Sequence, residues 1–166
     1  MSTIDEARVE ITAWLNLQQA NRVLDAVLDQ RLNEAAGVSM AEYEVLFRLQ
    51  VAGDRPLQMA QIATQLITSP SGTTRIADRL EADRLITRVT PHENRRVVEV
   101  SLSPRGRRLL QKADAAFREA LSESFSSNFT ASELATLRAL MRKLLEANGA
   151  WSEARCSPGL GAPKAS

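Results

Sequence analysis

SPSGTTRIADRLEADRLITRVTPHENRRVVEVSLSPRG, residues 69–106, reads as a helix, two strands around a polar tip, and the start of another helix. Ser69-Pro70 is an N-cap followed by proline at the first helical position. Ile76, Ala77 and Leu80 then share one helical face, while Ser71, Thr74, Arg75, Asp78 and Arg79 fall largely on the other. Residues 85–90 and 96–102 favour strands, with Val98, Val100 and Leu102 alternating inward. Pro91-His92-Glu93-Asn94-Arg95 forms a polar hairpin tip between them, and Ser103-Pro104 repeats the N-cap and proline. Counted two residues further, to Arg108, the segment holds nine arginines, five acids and no lysine, a local charge of +4.

Helices flank this segment on both sides. Residues 4–36 lack Pro and Gly, and Ile11, Trp14, Leu15, Leu24, Val27, Leu28 and Leu32 recur at mostly helical spacing up to a Gly37 C-cap. Ser39-Met40-Ala41-Glu42 is a capping box that opens a second helix, with Tyr43, Val45, Leu46 and Leu49 on its apolar side. After a turn at residues 53–56, a short third helix over 58–66 turns Met59, Ile62, Ala63 and Leu66 inward. Ile67-Thr68 joins it to the helix at 69–83. Downstream, Leu109, Leu110, Ala113, Phe117, Leu121 and Phe125 carry a fifth helix. Thr130-Ala131-Ser132-Glu133 caps a sixth, which runs through Leu134, Leu137, Leu140, Met141 and Leu144 to Asn148-Gly149. From Ala150 the composition turns to Gly, Pro, Ser and Ala, which predicts a disordered tail over 150–166.

The expected fold is mainly α with a small β-hairpin wing. A winged helix-turn-helix lobe spans 39–103, inside one domain over 1–149. Helices at 4–36 and 104–148 are left for dimerisation, because a lobe of about 60 residues cannot cover all their apolar stripes. Such stripes mark a partner, and symmetry favours a twofold dimer of identical chains.

The totals remove several classes of function. The 166 residues are 44% hydrophobic and 25% charged with a net charge of +1, ordinary for a globular domain. The first 53 residues carry a local charge of −4, so the basic segment is a localised footprint. Cys156 is the single cysteine, which excludes an internal disulfide or thiolate metal site. His92 is the single histidine, and no Gly-rich phosphate loop or apolar acid pair is found, so no enzyme, metal or cofactor is expected. The N-terminus is acidic, unlike a secretion signal, and no apolar run reaches the ~20 residues of a membrane span. A reducing cytoplasm and no membrane partner are expected.

The second helix of such a pair enters the DNA major groove N-terminus first. Here that end offers Ser69, Ser71, Gly72, Thr73, Thr74 and Arg75. Small hydroxyl residues permit close approach, and free N–H groups at a positive helix end favour phosphate. Arg75 suits bidentate readout of guanine. Arg95 and Arg96 on the hairpin suit a minor groove, while Arg84 and Arg88 lie within reach of phosphates. Arg79 has two readings, a DNA contact or an ion pair with Asp78, Glu81 or Asp83. Double-stranded DNA is the expected partner. The alternative is a winged-helix adaptor for protein contacts, since one fold hosts both uses.

The strings MAEYEVLFRLQ, LQMAQIATQL, SPSGTTRIADRLEADRLITR and NRRVVEVSLSPRGRRLL resemble the MarR family of bacterial transcriptional regulators, over about residues 39–110. The resemblance implies a homodimer with interleaved terminal helices, bound to a near-palindromic operator, usually as a repressor. It also implies release by a small, often aromatic acid, effector. Ser71, Thr74 and Arg75 match the family's S-x-x-T-R, Asp78 and Arg79 the D-R that follows, and Arg96 the wing arginine of D-x-R. Asn94 stands where the family has an aspartate, so this wing offers neutral hydrogen bonds in place of an ion pair.

Overall fold

A computed structural model describes residues 3–66, 69–92 and 97–156. Helix α1 (Thr3–Ala36) is 34 residues long because nothing in it interrupts the helical ladder. It stops where Gly37 takes φ +69°, a left-handed value that only glycine adopts at no steric cost, and donates its N–H to Asn33 O at 2.8 Å. Helix α2 (Met40–Ala52) begins with the expected capping box. The Ser39 Oγ accepts from the Glu42 N–H, and the Glu42 carboxylate accepts from the Ser39 N–H at 2.7 Å. Its inward side buries Tyr43, Val45, Leu46 and Leu49.

Strand β1 (Leu57–Gln58), helix α3 (Met59–Leu66) and helix α4 (Pro70–Ala82) follow, then strands β2 (Ile86–Val89) and β3 (Glu99–Leu102). The expected hairpin is a three-stranded antiparallel sheet in the order β1-β3-β2. Leu57 pairs with Val100 on one side of β3, and Ile86 with Leu102 on the other. A two-residue strand has no periodicity to read, so β1 was absorbed into a third helix expected from residue 58. Both wing strands are shorter than the expected 85–90 and 96–102. The Ile67-Thr68 connection and the wing residues Asn94, Arg95 and Arg96 lie outside the described residues.

Leu32, Leu46, Ile62, Leu80, Ile86 and Val100 meet in one core, each 2% exposed or less. Every one of these elements therefore holds α4 in place by burial worth about 1.5–3 kcal/mol per side chain.

The end of α4 is joined tightly to helix α5 (Pro104–Ser124). Arg84 takes φ +58° and reverses the chain, with the Leu85 N–H returning to Leu80 O at 2.8 Å. The buried Ser103 hydroxyl donates to Arg84 O at 2.7 Å and accepts the Gly106 N–H at 2.9 Å. Gly106 lies so close to the β2 entrance that a Cβ there would stand 2.0 Å from Leu85 O.

α5 packs along α1 and against α2. A 3₁₀ turn (Ser126–Asn128) leads to helix α6 (Ala131–Ala147), opened by the expected Thr130–Glu133 capping box. α6 buries no residue in this chain. Val9, Ile11, Trp14, Leu15 and Val23 on α1, with Leu140 and Leu144 on α6, are 47–66% exposed, so two helices present apolar faces to water. No described helix is long and apolar enough to cross a membrane.

Disorder from residue 150 onward is not what the structure shows for 150–156. There Glu153–Cys156 form a short helix, α7, against α3. The Arg155 guanidinium donates to Thr64 O at 3.2 Å and Ala150 O at 3.0 Å, and Arg48 donates to Arg155 O at 2.9 Å. Arg142 stacks over Trp151, 4.8 Å from the ring centre. Composition missed these contacts because two long side chains, Trp151 and Arg155, supply the ordering energy. Residues 157–166 lie outside the described ones.

The Gly106 contact is backbone against backbone and cannot relax by a rotamer change. Gly106→Ala is expected to lose about 1–3 kcal/mol or more in urea unfolding, against little change for Ala at an exposed position of α5.

Candidate nucleic-acid interface

Helix α4 forms the first part of the arginine-rich segment, residues 69–106. Its N-cap is as expected: the Ser69 Oγ accepts the Gly72 N–H at 3.1 Å and lies 3.1 Å from the Ser71 Oγ. Pro70 follows at the first turn. Ala77 and Leu80 are buried, Ile76 is half-buried, and Ser71, Thr74, Arg75, Asp78 and Arg79 are exposed on the outer face. A Cβ on Gly72 would press on the Ser69 Oγ at 3.1 Å, so glycine keeps the helix start slim.

Two residues expected at a DNA contact are placed elsewhere. Thr73 is 1% exposed and donates its hydroxyl to Ser69 O at 3.2 Å. It lies one turn before Ala77, on the inner face, so it supports the helix start and offers nothing to a groove. Arg88, on β2, is 17% exposed in its side chain, and its Nη2 donates to Asp78 Oδ1 at 2.6 Å. Its Nε stands 3.3 Å from Glu81 Oε2. Two α4 carboxylates neutralise this guanidinium, which ties the wing to α4 and does not stand free for a phosphate.

Arg79 pairs with a partner that was not expected. Its Nε stands 3.0 Å from Glu42 Oε1, while Asp78 and Glu81 are taken by Arg88. Arg75 sits one turn earlier on α4, and among the described residues no ion pair engages it. The outer face thus carries one guanidinium without a carboxylate and one held from behind, beside three hydroxyl residues at its leading end. His92 is exposed beside the wing tip, and the described residues contain no cluster that could hold a metal ion.

Sequence reasoning missed Glu42 as a member of this face. The signal was present: Glu42 shares a helical face with Val45, Leu46 and Leu49, so an inward side chain could have been read from spacing.

The family model described as MarR family matches residues 38–98, the stretch that contains α2, the helix pair and β2. The HTH-type transcriptional repressor MdtR of Bacillus subtilis is 32% identical over 114 residues, covering 69% of this chain and 72% of the relative. The chain belongs to the MarR family. Among solved structures, the MarR family regulator Sco3205 from Streptomyces coelicolor, solved in complex with DNA, superimposes with a TM-score of 0.78 at 20% identity over 89% of this chain and 93% of that one. A probable transcriptional regulator from Pseudomonas aeruginosa is 28% identical, with a TM-score of 0.68 over 77% of this chain and 92% of that one. MarR-family proteins are DNA-binding transcriptional regulators and not enzymes, and this chain shares their winged helix-turn-helix fold.

Proposed function

We propose that this MarR-family chain is a sequence-specific repressor that binds a near-palindromic operator as a homodimer. The observation that carries the reading is the outer face of α4. Ser71, Thr74, Arg75 and Arg79 stand together at the exposed side of a helix whose other side is fixed in the core. That face fits the major groove, with Arg75 reading guanine and the Ser69–Ser71 end meeting a phosphate. The wing tip, with Asn94, Arg95 and Arg96, follows β2 from the same lobe and fits the neighbouring minor groove.

The dimer is supported by the exposed apolar residues of α1 and α6. Between them a groove of about 860 Å³ is lined by Leu17, Leu24, Phe125, Phe129, Leu137 and Met141. A second copy that fills it would carry two α4 helices to successive major grooves about 34 Å apart. Repression is supported by the likeness to the repressor MdtR. Release by an effector rests on the family resemblance. The crevice between α1 and α2 is lined by Asp25, Asp29 and Glu44, carboxylates that repel an aromatic acid at that place.

Binding to a mixed-sequence duplex should fall steeply with salt, with a log–log slope of roughly −4 or steeper for a dimer using two or more arginines per lobe. A flat slope, or no binding at about 50 mM salt, indicates the protein-contact adaptor instead. On an operator selected from random sequence, Arg75→Ala is expected to lose about 1–3 kcal/mol and relax the preference at one base pair per half-site. Arg96→Ala is expected to weaken all sequences alike. Titrations of both variants against single-base operator changes check this.

A further inference from the structure

Glu42 is the one acidic side chain among the buried residues of the chain's described part, 3% exposed. One of its oxygens closes the α2 capping box, accepting from the Ser39 N–H at 2.7 Å and the Ser39 hydroxyl at 3.0 Å. The other faces α4, where the Arg79 Nε stands at 3.0 Å. The two ends of this bridge differ in exposure: the carboxylate is 4% exposed in its side chain, the arginine 66%. A buried carboxylate requires its charge to be met, and here the charge is met by a residue that reaches the outer face of α4.

We propose that Glu42 is a positioning residue for DNA, acting through Arg79. The guanidinium divides its work. Nε, the nitrogen nearest the helix, is held from behind by Glu42, and the terminal nitrogens at the exposed end meet a phosphate. Arginine has donors enough for both tasks in one rigid plane, whereas lysine has a single nitrogen. Holding a long side chain in its bound pose before DNA arrives removes an ordering cost that would otherwise weaken binding. Glu42 is itself locked by Ser39 at the start of α2, so the pose of Arg79 is set by the core helix and not by its neighbours on α4. Those neighbours, Asp78 and Glu81, are occupied by Arg88. This inference rests on the reading of α4 as the recognition helix.

The test is a double-mutant cycle on the full chain with a mixed-sequence duplex of roughly 30 base pairs, three helical turns, at about 50 mM salt. Glu42→Gln keeps an oxygen for the Ser39 bonds and places an amide N–H₂ against Arg79, which removes the grip while sparing the cap. Arg79→Ala should weaken binding roughly tenfold and flatten the salt slope by about two, one for each protomer of the dimer. Glu42→Gln should weaken it roughly fivefold, part of the ordering cost of one long side chain. The double variant should bind like Arg79→Ala alone, because Glu42 has no other route to DNA. Arg79→Lys, which keeps a cation opposite the buried Glu42 carboxylate, should bind as weakly as Arg79→Ala. Parental binding by Glu42→Gln, additive losses in the double variant, or parental binding by Arg79→Lys each overturns the proposal. If Glu42→Gln does not fold, the Arg79→Lys result decides. Failure of the parent chain to bind the duplex overturns the recognition-helix reading itself, which sets that outcome apart from the others.

Discussion

The apolar faces of α1 and α6 are the constraint from which the rest follows. α1 buries Leu32 in the core of its own lobe, then extends beyond that lobe with Trp14, Leu15 and Val23 uncovered. α6 covers none of them and adds Leu140 and Leu144 to the uncovered surface. Each such side chain forgoes burial worth about 1.5–3 kcal/mol. In the proposed dimer a second copy removes that cost for both chains at once, and the twofold axis then fixes how far apart the two α4 helices stand. In this account the geometry of DNA reading is set by hydrophobic burial far from any base.

Within the lobe, charge is sorted by position. Arg88 is folded back onto Asp78 and Glu81, Arg79 is held by Glu42, and Arg75 is left on the outer face. Nearby arginines in one stretch of sequence thus take three different roles. The joint of Arg84, Ser103 and Gly106 adds stiffness at the other end of α4, where the reversal into β2 is clamped by the first turn of α5. Tyr43 contributes from the far side of α2. Burial, and then its bond to Asp114 at 2.9 Å, hold its phenol well above the usual range, so it stays a neutral donor between α2 and α5.

What could be read in advance divides along local and non-local lines. The caps at Ser39, Ser69, Ser103 and Thr130 are four-residue patterns with a fixed hydrogen-bond logic, and all of them form as the residues dictate. The long helices follow from uninterrupted periodicity. β1 was not legible because its strand pairing is with Val100 and Glu99, some 40 residues away. The ion pairs of Arg88 were not legible because its carboxylates come from a helix that packs beside β2, a neighbour known only once the lobe closes. Thr73 was counted with the helix's leading end, although its position one turn before Ala77 assigned it to the core. α7 was hidden because Gly, Pro and Ala dominate the tail while Trp151 and Arg155 do the anchoring.

The uncovered apolar faces of α1 and α6 bear on one quantity, the number of chains in the free particle. Sedimentation velocity of the full chain at micromolar concentration, without DNA, measures it directly. The account predicts a particle of twice the 18.3 kDa chain mass. A stable particle of single-chain mass, with α1 and α6 still helical by circular dichroism, contradicts it.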